Sequence, residues 1–304
     1  MQIQQAAAAA AGAQQYPAPA LYLVATPIGN LADITLRAIH VLSLTDAVAC
    51  EDSRVTGALL HHLGLHKPLI ALHQHNEREA AVAVLEQLRA GRRVAYASDA
   101  GTPAVSDPGA ALVQVVAGEG FRVLPIPGAS SVVAALSVAG DTAQGFRFNG
   151  FAPHKGQERQ RALEAACDDP STQVWLEAPH RIAALADVWA VRAGARHVTV
   201  CRELTKQFET VVTLPARELP AWLAGDARRT RGEFVLVLHG AGDAPLRDDT
   251  LPASTQQVLD LLLAELPLKQ AVSLAARISG APRNALYEQA LQRQVRARDS
   301  GKAG

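Results

Sequence analysis

A repeated unit in the first half of the sequence constrains the fold of the whole chain. Short apolar runs end in polar loops that contain Gly or Pro, and a helical spacing of apolar residues follows each loop. In the clearest unit, residues 92–98, with the apolar run 94–97, predict a strand that has Asp99 at its carboxyl end. Asp107 and Pro108 then predict an N-cap and a first helical residue. Such units favour a parallel, doubly wound sheet that binds ligands where its strands end.

Four more strands of this kind are predicted at residues 21–26, 47–50, 69–73 and 121–126, with helices between them. Asp33 is expected to cap the first of these helices. Asn76 and Glu79 have the spacing of a capping box for a helix over residues 77–90. Because parallel strands end at one edge of a sheet, their polar loops should line a common cleft.

The second half predicts a mixed sheet. Its strand patterns lie at residues 147–151, 173–177, 197–203, 208–214 and 233–239, and the short spacing between the third and fourth indicates a hairpin. The expected organisation is a disordered tail over residues 1–20, an N-terminal α/β domain over 21–127, a C-terminal α/β domain over 128–240, a linker over 241–250 and a helical, helix-turn-helix-like module over 251–298.

Composition indicates a globular protein, with 49% apolar and 19% charged residues and a formal net charge of zero. The stretch from Lys269 to Lys302 is locally basic, with seven Lys/Arg against two acidic residues, a balance of +5. Three separated cysteines, an odd number without metal spacing, favour reduced thiols in the cytoplasm. No apolar run is long enough to span a membrane, and no metal site is predicted.

Several enzyme classes are disfavoured because their motifs are missing. The sequence has no G-x-G-x-x-G after its first strand, no G-x-x-x-x-G-K-[ST] and no G-x-S-x-G. A cleft of small residues and carboxylates would suit an adenosine-like, neutral or cationic ligand. This chemistry alone does not distinguish S-adenosylmethionine from several nucleotides.

Eight motifs occur along the chain in the order TPIGNLADIT (26–35), EDSR (51–54), HNE (75–77), SDAGTPAVSDPG (98–109), PGASS (127–131), EAPHR (177–181), RELTKQFE (202–209) and RGEFVLV (231–237). Together they resemble the small-subunit ribosomal RNA methyltransferase I family of the tetrapyrrole-methylase superfamily, from about Leu21 to Leu291. The resemblance implies two α/β domains with S-adenosylmethionine bound in the cleft between them. It also implies a homodimer that methylates the ribose 2′-hydroxyl of a cytidine in the decoding region of 16S rRNA, in the small ribosomal subunit.

The resemblance further implies a set of site residues. Those expected to bind the cofactor are Pro27, Gly29, Ser98, Asp99, Ala100, Gly101, Thr102, Ser130, Glu177, Ala178, Gly232 and Glu233. A ribose hydroxyl is a poor nucleophile, so a base or a cation should assist it. The candidates, expected to face the RNA, are Glu203, Lys206, Arg54 and Glu77.

RNA phosphates are expected to contact the basic tail and Arg147, His154, Lys155, Arg159 and Arg161. Two other functions remain open at this point. One is a tetrapyrrole-type methyltransferase that acts on a small molecule, and the other is a non-catalytic nucleotide- or RNA-binding protein.

Overall fold

The computed structural model describes residues 3–73, 76–106, 109–141, 145–241, 253–279, 286–287 and 289–291. The chain divides into two compact units, residues 1–240 and 241–304. The first unit contains two five-stranded sheets, and the second is helical where it is described.

The first sheet is parallel throughout, with strand order β3-β2-β4-β1-β5. Its strands are β1 (Ala20–Val24), β2 (Ala47–Cys50), β3 (Leu69–Ala71), β4 (Arg93–Ala97) and β5 (Arg122–Ile126). The helices of this half are α1 (Ile3–Ala11), α2 (Leu36–Leu44), α3 (Ser53–His62), α4 (Glu77–Arg89) and α5 (Ala110–Gly118). Apolar cores lie on both faces of the sheet, which confirms the predicted doubly wound arrangement.

Two predicted helix caps are wrong. Asp33 ends a short 3-10 turn, and α2 is capped instead by Thr35, whose Oγ1 accepts a hydrogen bond from the amide of Ala38 at 3.0 Å. Asn76 does precede α4, but its side chain accepts from the amide of His73 and makes no cap bond to the helix. The Asn76 side chain bonds within the turn that precedes α4, and Asp33 lies inside the 3-10 turn instead of directly before the helix. The predicted cap at Asp107 and Pro108 lies outside the described residues, and Gly109 directly precedes α5.

The amino-terminal segment is not a disordered tail. α1 packs against the first apolar core, where Ala7 is fully buried and Ala11 is 4% exposed. The Gln4 side-chain amide donates hydrogen bonds of 2.9 and 2.8 Å to the carbonyls of Leu63 and Gly64. Its Ala-rich sequence lacks a large apolar stripe, so the spacing of large apolar residues could not reveal that small side chains allow close packing.

We expect the substitution Ala7→Glu to detach α1 and lower the thermal midpoint of unfolding, because a carboxylate cannot be buried at this fully enclosed position. The matched control is Ala9→Glu, which makes the same change on the exposed side of the same helix. Differential scanning calorimetry measures both. Equal midpoints for the two variants would contradict the packing of α1.

The second sheet is mixed, as predicted, with order β6-β7-β10-β8-β9. Its strands are β6 (Phe146–Phe151), β7 (Thr172–Glu177), β8 (His197–Arg202), β9 (Thr210–Pro215) and β10 (Phe234–Leu238), and β8 and β9 form the predicted hairpin. Its helices are α6 (Ser131–Ala139), α7 (Gly156–Asp168), α8 (Ile182–Arg192) and α9 (Leu219–Ala224). Apolar side chains of α6 pack on one face, and those of α7, α8 and α9 pack on the other.

The second unit contains α10 (Ala253–Glu265) and α11 (Leu268–Ser279), which share a small apolar core. Residues 280–285, which contain the predicted tight turn, and most of the predicted linker lie outside the described residues. Across the described parts of the chain, every helix is too short or too polar to cross a membrane.

Candidate active site

The carboxyl ends of β1 and β4 face the ends of β7, β8 and β10 across a cleft of about 440 Å³, which we call the inter-sheet cleft. The first sheet contributes Ile28, Glu51, Asp99 and Ala100, and the second contributes Phe151, Leu176, Glu177, Ala178, Glu233 and others. A smaller recess beside it is lined by Ala100, Gly101, Thr102, Ser130 and Ser131. Because β10 runs antiparallel to β7 and β8, its amino end meets their carboxyl ends, and this brings Glu177, Glu203 and Glu233 to one place.

A second opening of about 650 Å³, the outer cleft, lies on the first sheet between the end of β1 and α3. Its lining includes Thr26, Pro27, Asp52, Arg54 and Ser98. Asp99 lines both clefts and accepts a hydrogen bond of 3.0 Å from the amide of Asp52. The Asp99 carboxylate is therefore fixed in the wall that the two clefts share.

The loop after β4 is held by its own polar groups. The amide of Gly101 donates to the carbonyl of Thr26, and the amide of Thr26 donates back to the carbonyl of Gly101. Thr102 donates to the carbonyl of Ala129 at 3.2 Å, which links this loop to the start of α6. Gly101 has a φ of +82°, a conformation that glycine adopts at little cost. The Ser98 side chain is buried and bonds to carbonyl groups of its own loop, so it stabilises the conformation of this loop.

Lys206 forms the centre of a charged cluster on the second sheet. Its Nζ lies 3.0 Å from Oε1 of Glu203 and 3.0 Å from Oε2 of Glu233. Partial burial opposes the ionisation of Glu203, but hydrogen bonds from the Glu233 amide and from Lys206 outweigh it and keep the pKa of Glu203 below its ordinary value. Burial likewise opposes the charge on Lys206, but the two carboxylates raise its pKa above the ordinary value. At neutral pH the cluster therefore contains an ammonium group between two carboxylates.

The backbone that carries this cluster is strained. Glu203 and Thr205 have φ angles of +54° and +66°, although neither is glycine. Such conformations cost about 1–3 kcal/mol each and concentrate at functional sites. Gly232 has a φ of +90°, and a β-carbon at its position would lie 2.5 Å from Oε1 of Glu203. Gly232 therefore makes room for the Glu203 carboxylate and is not among the residues that line the inter-sheet cleft.

Gly29 brings the first sheet into contact with this cluster. A β-carbon at Gly29 would lie 2.6 Å from Cγ of Lys206 and 3.0 Å from the carbonyl oxygen of Leu204. The turn after β1 thus approaches the Lys206 side chain as closely as only glycine permits. Gly29 thus fits against Lys206 and is not among the residues that line the inter-sheet cleft.

Glu177 is the most deeply buried acidic group of the site, with a side-chain exposure of 0%. Its two oxygens lie 2.8 Å from an Arg159 nitrogen and 2.7 Å from Nε of Arg181. Arg159 is itself 9% exposed, so the prediction that it contacts RNA phosphates is wrong. The guanidinium groups of Arg159 and Arg181 carry two positive charges against the single negative charge of Glu177. Together they offset the cost of burying this carboxylate at the strand end.

The other two predicted catalytic residues, Arg54 and Glu77, do not belong to the Lys206 cluster. Arg54 has a side-chain exposure of 91% and pairs with Asp52 at 2.6 Å, beside the outer cleft. Its hydrogen bonds lower the pKa of Asp52 to about 2. Glu77 is the first residue of α4 and is not among the residues that line either cleft.

Sequence reasoning missed the apolar part of the site. Phe151, Leu176 and Leu204 line the inter-sheet cleft and were not among the predicted site residues. Cys201 also lines it, but burial raises the pKa of its thiol to about 12, so it is not a nucleophile at neutral pH. The signal that could have found these residues is their position at strand ends, next to the polar loops.

The family model of the tetrapyrrole (corrin/porphyrin) methylases matches residues 20–220, which include the first sheet, every strand of the second sheet except β10, and the residues that line the inter-sheet cleft except Glu233, Phe234 and Val235. The chain belongs to this methylase family. A second model, the RsmI C-terminal HTH domain, matches residues 249–294. Family membership confirms the predicted enzyme class, a methyltransferase with S-adenosylmethionine as methyl donor, and removes the non-catalytic alternative.

Curated relatives place the chain more finely in this family. It is 48% identical over 275 residues to ribosomal RNA small subunit methyltransferase I of Pseudomonas aeruginosa, which covers 90% of this chain and 97% of that protein. It is 46% identical over 271 residues to the protein of the same name from Neisseria meningitidis, covering 89% of this chain and 92% of that one. The chain is a member of the ribosomal RNA small subunit methyltransferase I family, as the eight motifs indicated.

Solved structures agree on the fold. Diphthine synthase superposes with a TM-score of 0.56 at 16% identity, covering 72% of this chain and 89% of that one. The cobalt precorrin-4 methyltransferase CbiF superposes with a TM-score of 0.55 at 18% identity, covering 71% and 93%. At these identities the likeness concerns the arrangement of the two sheets and carries no information on the acceptor.

The inter-sheet cleft fits S-adenosylmethionine in its chemistry. The sulfonium and ammonium groups of this cofactor are cationic, and Glu51, Asp99 and Glu233 line the cleft. Its adenine is flat and apolar on both faces, and Ala100, Leu176 and Phe234 offer small or apolar surfaces to such a ring.

Proposed function

We propose that this enzyme methylates the ribose 2′-hydroxyl of a cytidine in the decoding region of 16S rRNA, with the small ribosomal subunit as partner. The observation that carries the proposal is the near full-length match to relatives named ribosomal RNA small subunit methyltransferase I, joined to a matching C-terminal HTH model. A tetrapyrrole methylase that acts on a small molecule has no evident need for such a helical module.

We infer that Asp99, Ala100, Gly101, Thr102 and Ser130 hold the cofactor from the first sheet and from the start of α6. Glu177, Ala178 and Glu233 would hold it from the second sheet, Pro27 and Ser98 would support the wall at the end of β1 and β4, and Gly29 and Gly232 would position the Lys206 cluster. When bound, S-adenosylmethionine supplies an electrophilic methyl group. In this proposal Asp99 binds and aligns the cofactor and does not exchange a proton.

Lys206 is the group best suited to assist the acceptor hydroxyl. The raised pKa keeps it protonated, so it cannot act as a general base at neutral pH. An ammonium group would instead stabilise the negative charge that develops on the ribose oxygen during methyl transfer, in which the methyl–sulfur bond breaks as the carbon–oxygen bond forms and the hydroxyl proton passes to solvent water. Glu203 and Glu233 hold Lys206 in place. Arg54 and Glu77 remain candidates for RNA contact.

The direct test uses small ribosomal subunits from a strain that lacks this gene, with methyl-labelled S-adenosylmethionine. We expect the wild-type protein to introduce one 2′-O-methyl group into a cytidine of the decoding region, mapped by resistance of the adjacent phosphodiester to alkaline cleavage. The Lys206→Ala variant should bind the cofactor and transfer little methyl. Label that appears only in small molecules, or on a base, would contradict the proposal.

We further propose that the enzyme acts in the cytoplasm, where its ribosomal partner is found, and as a homodimer. Val133 and Val138 of α6 are 61% and 50% exposed, although α6 is almost entirely apolar. A second copy that covers this face would remove these side chains from water. A monomeric mass in sedimentation equilibrium at micromolar concentration would contradict the dimer.

A further inference from the structure

A basic groove runs along β5 on the face of the first sheet that α1 and α2 cover, and we call it the arginine groove. Its volume is about 850 Å³. The lining residues are Gln15, Tyr16, Pro17, Ala18, Tyr22, Arg37, Arg93, Arg122, Leu124, Pro125 and Pro127. Three of these residues are arginines, and none is acidic.

Strand register directs two of the arginines to the same side. Arg93 of β4 and Arg122 of β5 both pair with Ala20 of β1, so they flank it in the sheet. Residues in register on neighbouring parallel strands project from the same face, and strands lie about 4.8 Å apart, so the two α-carbons are roughly 10 Å apart. Ala20 belongs to the core beneath α1 and α2, which places both arginines on that face.

The guanidinium groups of Arg37 and Arg122 are available to a ligand. Both side chains are exposed, and within the described parts of the chain neither forms an ion pair. Arg93 also stabilises the wall of the groove, because its Nε donates a hydrogen bond of 3.0 Å to the carbonyl of Tyr16. The groove thus concentrates positive charge that no acidic side chain of its lining neutralises.

The groove also reaches the edge of the sheet where the clefts open. Arg93 and Arg122 lie at the amino ends of their strands, whereas Pro127 follows the carboxyl end of β5. The five residues of β5 span about 16 Å. Arg37 lies in the first turn of α2, six positions after Leu31, which lines the outer cleft. The groove therefore extends from the amino ends of β4 and β5 to the edge of the sheet at which the clefts open.

We propose that the arginine groove binds the phosphate groups of single-stranded RNA that flanks the methylated nucleotide. Guanidinium groups pair with phosphate oxygens in a bidentate manner, and three of them along one groove suit the repeated phosphates of a nucleic acid strand. The partly exposed ring of Tyr16 offers a surface on which a base can stack. This inference rests on the proposed RNA substrate. Residues 15–18 form one wall of the groove and precede the part that the methylase family model matches, so this wall is an addition to the shared fold.

The test compares two double variants of the full-length protein. Arg37→Gln with Arg122→Gln removes two groove charges, and Arg92→Gln with Arg217→Gln removes two exposed charges that do not line the groove. Binding of a fluorescent single-stranded RNA with the decoding-region sequence is measured by anisotropy from 0.05 to about 0.3 M salt. For the groove variant, the Kd at 0.1 M salt should rise by about 25-fold, and the slope of log Kd against log salt should fall by about 1.4, because each phosphate contact contributes about 0.7.

The control variant should behave as the wild type, and both variants should unfold at the wild-type temperature. With ribosomal subunits as substrate, the groove variant should lose kcat/KM and keep kcat, since the groove binds RNA and does not take part in the chemistry. Equal RNA affinities for the two double variants would overturn the proposal, while methylation by the wild type would still uphold the proposed function.

A second arm uses inorganic pyrophosphate at constant ionic strength, because a small anion could use the same arginines. We expect pyrophosphate not to displace the RNA at micromolar concentration. Weaker pyrophosphate binding in the groove variant together with unchanged RNA binding would overturn the proposal in favour of a small-anion site. Absence of methyl transfer by the wild type would instead refute the proposed function itself.

Discussion

Replacing Lys206 with alanine should lower kcat for rRNA methylation by about 10²–10³-fold, or about 2.7–4 kcal/mol, the usual effect of removing one preorganised group that stabilises developing charge. The reason is the position of its Nζ, 3.0 Å from both Glu203 and Glu233, because Glu233 lines the cleft that suits the methyl donor. Without the ammonium group, two carboxylates face a ribose oxygen that is becoming negative. Single-turnover kinetics with saturating subunits and cofactor isolate this step.

Cofactor affinity is the readout that separates this role from a structural one. Because S-adenosylmethionine is itself cationic, loss of Lys206 should leave its Kd unchanged or lower it. Collapse of the cleft would raise that Kd instead. Lys206→Arg should recover part of kcat, since it keeps the charge but not the size of the group. Normal turnover of Lys206→Ala would contradict the assignment.

The pH profile gives an independent check on whether Lys206 acts as a cation or as a base. Its pKa is raised above the ordinary 10.5, so the charged form is present throughout the neutral range and is lost only as pH rises through that raised value. The Lys206-dependent part of kcat should therefore stay flat from about pH 7 to 9. An increase of kcat with pH over this range that disappears in Lys206→Ala would show a base instead.

The second large effect is expected from Arg159→Ala, which should lower the free energy of unfolding by about 3–5 kcal/mol. Arg159 lies 2.8 Å from a carboxylate oxygen of Glu177, whose side chain has no exposure to solvent. Removing one of its two arginines leaves a buried negative charge that is only partly compensated. Urea unfolding followed by circular dichroism measures the change.

Arg161→Ala is the matched control, because Arg161 lies on the same helix, is exposed and, among the described residues, bonds only to Gln157 of that helix. We expect it to change stability by less than about 0.5 kcal/mol. Arg159→Ala combined with Glu177→Gln should be less destabilising than the sum of the two single changes, since the second removes the charge that the first leaves unpaired. Unchanged stability of Arg159→Ala with weaker RNA binding would restore the surface role that its sequence position suggested.

The strands show how far local sequence can be read. β2 has the predicted bounds, β4 is shorter than predicted by one residue at each end, and β7 begins one residue earlier than predicted. Strands are short, and Gly, Pro and charged residues bound their apolar runs. The ends of the strands can therefore be predicted from the local sequence. The polar loops at strand ends could be assigned to a common edge for the same reason, because parallel strands leave few alternatives.

Local sequence did not decide where the helices begin or which charged side chains are buried. Thr35 and Asp33 are equally good caps by composition, and the 3-10 turn at residues 31–33 decides between them. Arg159 and Arg161 are equivalent in sequence, yet one is buried against Glu177 and the other is exposed. α1 was missed because alanine carries little hydrophobic signal, and its stability comes from close contact with α2.

The sequence by itself therefore determined the two kinds of sheet, the strand ends that carry the cleft and, through its eight motifs, the methylase family. Only the tertiary structure decided which charged groups act together. It placed Lys206 between Glu203 and Glu233 and against Gly29, buried Glu177 between Arg159 and Arg181, and aligned Arg93 with Arg122 across Ala20. The physical reason is range: strand and turn preferences act over a few residues, whereas these contacts join positions that are distant in sequence and depend on how the strands pair and the sheets pack.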